Sequence, residues 1–183
     1  IHDADLLIVA GQNPGTNHPR MLSALEKAKL RGARIIAVNP LPEAGLIRFD
    51  NPQTVRGVLL GGTGLAGELV QVRLGGDQAL FQGIGEHLVE RHASDGGVLD
   101  AAFIGEHTSG FEAYAAAVAE VAWSDLEAAS GLTEERIRGI GDQVKASTAT
   151  IVCWAMGLTQ HKHSVATLRD VVNVLLLQGS IGR

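Results

Sequence analysis

Aromatic residues and cysteine are scarce in this chain of 183 residues. Aromatic side chains make up 4% of the sequence and hydrophobic residues of all kinds 45%, so the core must consist mainly of aliphatic side chains. Such a core is typical of helices packed on a parallel sheet and argues against a β-sandwich. Cys153 is the single cysteine, which excludes an internal disulfide and fits a reducing, cytoplasmic compartment.

Long apolar runs and clusters of basic residues are also absent. No stretch reaches the roughly 20 apolar residues that a membrane-spanning helix requires, so we expect no membrane insertion. The net charge is −5, without any basic block. Nucleic acid is therefore a poor partner, because binding to its phosphates needs clustered Lys and Arg.

The length is typical of one domain. We expect residues 1–183 to form a single α/β domain, and this domain to be a fragment of a longer protein. Within it, residues 45–68 are rich in Gly, Asn, Pro and Thr. This composition predicts an irregular excursion rather than a separate domain.

Four apolar runs predict the buried strands of a parallel sheet. They are Leu6–Ala10, Arg34–Asn39, Leu69–Leu74 and Ala149–Ala155. A helical pattern from Pro19 to Arg31 separates the first two runs, which predicts a β-α-β crossover.

Two further helices are predicted from their apolar faces. A helix that begins at residues 75–77 has Leu80, Phe81, Ile84 and Leu88 on one face. His87 and His92 lie on the same helix at a spacing that does not share a face, and we expect both to be exposed. The last helix is predicted to bury the stripe Val165, Leu168, Val172, Leu175 and Leu176.

The first strand runs into a small and polar loop, residues 11–18, which leads directly into the helix at Pro19. A loop in this position points backbone N–H groups into the crevice at the carboxyl edge of the sheet. It lacks both the three-glycine dinucleotide pattern and the Lys-Ser/Thr ending of a P-loop. The local chemistry therefore leaves two interpretations open: a ligand-holding loop, or a tight turn with an N-cap.

Polar loops also follow the other predicted strands, at residues 39–43, 75–77 and 156–161. Because parallel strands end at the same edge of a sheet, one extended ligand could touch all four loops. Their neutral amides, hydroxyls and backbone N–H groups suit a purine, ribose hydroxyls and a pyrophosphate better than acid–base catalysis. His161 and His163 have no third metal ligand in sequence reach, so we predict no metal site there.

Six segments are more specific than any one loop. They are GQNPGTNHPRM at 11–21, VNPLPEAG at 38–45, GGDQAL at 75–80, DAAFIGEHTSGFEAY at 100–114, CWAMGLTQH at 153–161 and NVLLLQGSIGR at 173–183. In this order they resemble the molybdopterin oxidoreductases of the dimethyl-sulfoxide-reductase type, and most of all the formate-dehydrogenase-like alpha subunits. The resemblance implies a three-layer, Rossmann-like or flavodoxin-like fold, with helices on both faces of a parallel sheet.

The resemblance further implies the nucleotide-binding domain of an enzyme that carries bis(molybdopterin guanine dinucleotide) with molybdenum or tungsten. The loop at 11–18 would lie against the pyrophosphate and pterin side, residues 39, 40 and 77 would hold the guanosine, and residues 156 and 160 would meet the pterin end. The implied cofactor-binding residues are Gly11, Asn13, Pro14, Thr16, Asn17, His18, Asn39, Pro40, Gly76, Asp77, Met156, Gly157, Thr159 and Gln160.

Asp77 and Asn39 are the informative members of this set. A carboxylate can accept hydrogen bonds from both N1–H and the exocyclic amine of guanine, so Asp77 has a physical reason to select guanine over adenine. Its spacing alone equally predicts an N-cap. Many members of the family carry an acid where this chain has Asn39, so a ribose contact that needs a carboxylate is not implied here.

The chemistry of the parent protein would lie outside this chain. The resemblance implies that the metal's protein ligand, the catalytic histidine and the cysteines of a 4Fe-4S cluster are elsewhere, so we expect no catalytic residue here. The full chain would be an oxidoreductase for formate or a related small molecule, with a possible electron-transfer partner. Two alternatives stay open: a stress-response protein that keeps the cofactor scaffold without formate activity, and a generic flavodoxin-like or nicotinamide-binding module.

Overall fold

The computed structural model describes residues 1–182. In chain order its elements are β1 (Leu6–Ala10), α1 (Pro14–Asn17), α2 (Pro19–Leu30), β2 (Arg34–Val38), α3 (Ala44–Ile47), α4 (Val55–Leu59), β3 (Glu68–Val70), α5 (Asp77–Asp95), α6 (Ala101–His107), α7 (Phe111–Ala119), α8 (Trp123–Ser130), α9 (Glu134–Lys145), β4 (Thr150–Trp154), α10 (Met156–Thr159) and α11 (Ser164–Leu177). Within residues 1–182, the apolar helices are all too short to cross a membrane.

The four strands form one parallel sheet in the order β3-β2-β1-β4. β1 is an inner strand, in register with β2 from Leu6↔Arg34 to Ala10↔Val38 and with β4 from Leu6↔Thr150 to Ala10↔Trp154. All five residues of β1 are buried, as in parallel strands that are covered on both faces. The predicted α/β class and parallel sheet are confirmed.

The chain divides into two compact units. The first unit consists of residues 1–71 and 148–157 and contains the sheet, and the second consists of residues 72–147 and 158–182 and is helical. In the first unit, α2 packs Leu22 and Leu25 against Leu7 and Val9 of β1. α2 begins at Pro19, whose fixed φ suits a first helical position, and Gly32 follows its end with a φ of 101°.

β3 is shorter than the sequence predicts. It covers Glu68–Val70 rather than Leu69–Leu74, and it pairs with β2 from Ile36↔Glu68 to Val38↔Val70. β2 itself ends at Val38, so the residues after Val70 have no extended neighbour on that side. Leu74 is 90% exposed.

Residues 45–68 contain most of α3, all of α4 and an isolated antiparallel bridge between Phe49 and Thr63. Glu26 of α2 is buried and holds this segment with both carboxylate oxygens. Asn51 Nδ2 donates to Oε2 over 2.7 Å, and Thr63 Oγ1 donates to Oε1 over 2.8 Å. These buried hydrogen bonds tie the segment to α2, because each would be costly to leave unmade.

In the second unit, α5 buries Leu80, Phe81, Ile84 and Leu88, as predicted. The predicted stripe of α11 is wrong, since Val165 is exposed and the other four residues are only half-buried. The residues that α11 buries are Thr167, Val171, Val174 and Leu177. Thr167 belongs to this face although it is polar, because its hydroxyl donates to the His163 carbonyl over 3.1 Å and can therefore be buried. A search for apolar residues alone does not find such a face.

The prediction that His87 is exposed is also wrong, since its ring is buried between α5 and α9. Its Nδ1 lies 3.1 Å from the guanidinium of Arg138, and its Nε2 lies 2.9 Å from Asp142 Oδ1. Arginine can only donate, so Nδ1 accepts and Nε2–H donates to the carboxylate. Gly141 leaves room for the ring, because a Cβ there would be 2.6 Å from His87 Cδ2.

Candidate functional site

In the first unit, the loop after β1 is shaped by Asn13. Its Oδ1 accepts from Thr16 N over 3.1 Å and so caps α1, while its Nδ2 donates to Glu43 Oε2. The carboxamide therefore links the loop after β1 to the loop after β2. Asn13 has one amide hydrogen left for a ligand, fewer donors than the sequence alone implies.

Gln12 and Asn39 lie beneath this loop and are both buried. Asn39 Nδ2 donates to the Gln12 carbonyl over 3.3 Å, which again joins the ends of β1 and β2. Gln12 Nε2 lies 3.2 Å from His18 Nδ1. When Gln12 donates there, the tautomer of His18 carries its hydrogen on Nε2, and His18 is an exposed residue.

Two glycine pairs bring backbone segments into contact. Gly157 N donates to the Gly11 carbonyl over 3.1 Å, and a Cβ on Gly157 would be 2.6 Å from Gly11 Cα. A Cβ on Gly45 would similarly be 2.9 Å from Gly15 Cα. Glycine is needed at both contacts because backbone, unlike a side-chain tip, cannot move aside cheaply.

The first unit thus places ten of the sequence-predicted residues at the carboxyl ends of β1, β2 and β4. They are Gly11, Asn13, Pro14, Thr16, Asn17, His18, Asn39, Pro40, Met156 and Gly157. Thr16, Asn17, His18, Met156 and Gly157 are exposed, whereas Pro14 and Asn39 are buried. The surface that this group offers consists of hydroxyl, amide and imidazole groups around closely packed backbone.

In the second unit, Gly76 and Asp77 form the start of α5. Gly76 is packed against the residues that end α8: a Cβ there would be 2.8 Å from the Ala129 carbonyl oxygen. Asp77 is 5% exposed, and its Oδ1 is buried without a hydrogen-bond partner. Burial raises the pKa of this carboxyl, while its own backbone N–H and the nearby His161 act to lower it.

The remaining predicted residues, Thr159 and Gln160, are exposed near the end of α10. The next residue, His161, has a buried Nε2 with no hydrogen-bond partner among the described residues. Gln78 and Lys162, which follow Asp77 and His161 in the chain, line the same pocket of this unit, so the two side chains lie in one region. The second unit therefore contains a buried carboxylate oxygen and a buried imidazole nitrogen that lack partners.

Three residues of these groups were not among the sequence-predicted cofactor-binding residues: Gln12, Glu43 and His161. Gln12 and Glu43 stand within the polar loops, but only the hydrogen bonds to His18 and Asn13 reveal what they do. The sequence offers His161 only as a weak metal-ligand candidate, and its position in the same region as Asp77 depends on tertiary structure.

Comparison with protein-family models gives no match. Sequence relatives nevertheless extend over the whole chain. An uncharacterized oxidoreductase of Mycobacterium tuberculosis is 52% identical over 184 residues, which are 100% of this chain and 24% of the relative. Protein YdeP of Escherichia coli is 44% identical and covers 98% of the chain, again with 24% of the relative. The chain spans about a quarter of the length of these curated relatives.

Formate dehydrogenase H of Escherichia coli is a more distant relative, 26% identical over 183 residues, which are 100% of this chain and 22% of that protein. Among solved structures, acetylene hydratase from Pelobacter acetylenicus superposes with a TM-score of 0.80 at 20% identity, over 98% of this chain and 22% of that one. The superposition confirms the fold, and the sequence relatives confirm the resemblance carried by the six segments. The chain is therefore similar to one segment of each of these longer proteins, in line with its resemblance to the molybdopterin oxidoreductases.

Proposed function

We propose that this chain is the α/β domain that holds a guanine dinucleotide portion of a bis(molybdopterin guanine dinucleotide) cofactor in an oxidoreductase. Asp77 is the observation that carries the proposal. A buried carboxylate oxygen without a partner is costly in an isolated fold, and a ligand that donates a hydrogen bond to it would relieve that cost. Guanine provides such donors, and the family relationship supplies the reason to look for guanine.

The chemistry of Asp77 fits guanine better than adenine. Its Oδ1 can accept from N1–H or from the exocyclic 2-amine of guanine. Adenine has an unprotonated nitrogen and a carbon-bound hydrogen at those positions, so it would leave the carboxylate unpaired. The position of Asp77 in the first turn of α5 also favours the ionised form, since the amino end of a helix stabilises negative charge.

The polar residues of the first unit suit the other parts of the cofactor. Thr16, Asn17 and His18 are exposed donors, which we assign to the pyrophosphate and pterin side. Asn39 and Pro40 are assigned to the guanosine, although one Asn39 amide hydrogen is already donated to Gln12. This leaves the carboxamide oxygen of Asn39 as the group that can accept from a ribose hydroxyl.

Residues at the end of β4 and in α10 are assigned to the pterin end. They are Met156, Gly157, Thr159 and Gln160. Met156 provides a flexible apolar side chain that is 58% exposed, which suits the flat face of a fused ring. Gly157 keeps the backbone close to Gly11, so a larger residue there would move the loop that faces the ligand.

The bound cofactor would supply electron transfer at a molybdenum or tungsten ion, and this chain's residues bind and orient its nucleotide part. We propose further that the rest of the parent carries the metal ligand and a 4Fe-4S cluster, acts on formate or a related small molecule with an electron-transfer partner, and resides in the cytoplasm. The relation to formate dehydrogenase H supports formate as the first substrate to test.

Metal and nucleotide content of the full-length parent tests the proposal. The protein is purified from a host that makes the cofactor, molybdenum and tungsten are measured by elemental analysis, and nucleotides are released by acid hydrolysis. We expect one metal ion and a pair of GMP molecules per chain. Protein from a competent host that contains neither metal nor GMP would contradict the proposal and favour a scaffold or a plain nucleotide-binding module.

A formate oxidation assay on the loaded protein then tests the substrate.

A further inference from the structure

His161 has no role in the assignments above, yet its Nε2 is buried and has no partner among residues 1–182. It lies two residues after the end of α10, and its carbonyl accepts from Ser164 N over 3.1 Å at the start of α11. A buried imidazole nitrogen without a hydrogen-bond partner has lost its contact with water and gained nothing in return. This desolvation cost reduces the stability of the fold.

The second observation is the neighbour of this nitrogen. Asp77, which is 5% exposed, also has an unpartnered atom, Oδ1. The next residues in the chain, Gln78 and Lys162, line one pocket of the second unit, which brings Asp77 and His161 to the same region. The two unpartnered atoms do not bond to each other. Two groups of one region with unmet hydrogen-bonding capacity indicate a ligand that satisfies both.

The chemistry of guanine decides what His161 must do. When N1–H and the exocyclic amine are directed to a carboxylate, the remaining ring-edge atoms of the base, O6, N7 and N3, are all acceptors. A group beside Asp77 that faces the base must therefore donate. Imidazole can donate from Nε2, either as the neutral Nε2–H tautomer or as the cation.

We propose that His161 is a second guanine-recognition residue, whose Nε2–H donates to the O6 of the base that Asp77 holds. The inference rests on the proposed function. O6 is adjacent to N1, so it is the acceptor nearest to the edge that the carboxylate engages. With both contacts the site distinguishes guanine from adenine twice, because adenine has an amine that donates at position 6.

Two substitutions separate hydrogen bonding from packing at this position. His161→Phe keeps a planar ring but removes the donor, whereas His161→Gln keeps an N–H donor near the place of Nε2 but removes the ring. His163→Phe is the matched control, because His163 is exposed and lies two residues further along the same turn. The measurement is the rate at which loaded full-length parent loses its cofactor in mild urea, followed as GMP in the filtrate.

We expect His161→Phe to release the cofactor about fivefold faster than wild type, as the loss of one buried hydrogen bond implies. His161→Gln and His163→Phe should release it at nearly the wild-type rate. The proposal is overturned if His161→Phe holds the cofactor like wild type, if only His161→Gln loses it, or if all three variants lose it alike. A wild-type parent that contains no GMP at all would instead refute the proposed function, and the role of His161 with it.

Discussion

The polar residues of the two units differ in how far they satisfy one another. In the first unit, Asn13 bonds to Thr16 and Glu43, and Asn39 bonds to Gln12, so these side chains mainly shape the loops. In the second unit, Asp77 and His161 each bury an atom without a partner. Asn13 and Asn39 of the first unit are therefore largely satisfied, whereas Asp77 and His161 of the second each keep a buried atom with unmet hydrogen-bonding capacity among the described residues. The difference predicts opposite outcomes for substitutions in the two units.

Asp77→Asn should have the largest effect on binding. The amide replaces a charged acceptor of two guanine donors, so we expect the loaded parent to lose its cofactor at least about tenfold faster. The cofactor-free parent should behave in the opposite way and become more stable, because the buried carboxylate no longer has to be ionised. Cofactor release and thermal unfolding of the two forms measure both effects.

The pH dependence of that stability follows from the raised pKa of Asp77. The folded state holds the proton more tightly than the unfolded state, so the cost of the ionised group appears as pH rises through the folded-state pKa. The advantage of Asp77→Asn over wild type should therefore be greatest near neutral pH and shrink as pH falls through that pKa. An advantage that grows on acidification would contradict burial as the cause.

Gly157→Ala should have the largest effect on stability in the first unit. The new Cβ would be 2.6 Å from both the Cα and the carbonyl oxygen of Gly11, so backbone must shift, at a cost of about 1–3 kcal/mol. Hydrogen exchange of the β1 and β4 amides in the parent measures the local loss.

Gly139→Ala is the matched control for Gly157→Ala. Gly139 lies in α9, and a Cβ there meets nothing within 4 Å. Alanine should stabilise this helix by about 0.5–1 kcal/mol through its higher helix propensity. Equal effects at the two glycines would refute the close contact between Gly157 and Gly11.

Asn13→Ala should destabilise the loop after β1 by about 1 kcal/mol, because it removes the cap of α1. Asn13→Asp sharpens the test, since it keeps the capping oxygen but places a second carboxylate against Glu43. If the contact with Glu43 matters, aspartate will not restore wild-type stability at neutral pH, and acidification will narrow the gap. If Asn13→Asp has wild-type stability, the contact with Glu43 contributes nothing, and Asn13 acts only as the N-cap of α1.

Gln12→Met should have the smallest effect on stability. It also tests whether the polar residues of the two units really differ. Gln12 is the residue of the first unit whose Oε1 is buried without a partner among the described residues. Methionine has a similar volume and would contact Met21, which lies 3.3 Å from Gln12 Nε2, so we expect a stability change within about 1.5 kcal/mol. Faster cofactor release by this variant would show that the first unit also reserves a hydrogen bond for the ligand.

The strands and the first helix could be predicted because their signals are local. The aliphatic runs of β1 and β2 and the proline that begins α2 gave these elements to within one residue. The end of β3 could not be predicted, since Val72 and Leu74 continue the apolar pattern and only the length of β2 ends the pairing. The buried face of α11 was misjudged because a satisfied threonine can replace an aliphatic residue.

By itself the sequence determined the α/β class, the polar loops after parallel strands and the resemblance to a family, because these depend on composition, periodicity and the order of short segments along the chain. Tertiary structure alone decided which polar groups are already satisfied. Asn13, Asn39 and Asp77 look alike as loop residues in the sequence. Their partners come from distant parts of the chain or are missing. Hydrogen-bond satisfaction is a property of three-dimensional neighbours, and here it separates Asn13 and Asn39, which bond across the loops, from Asp77, whose Oδ1 has no partner among the described residues.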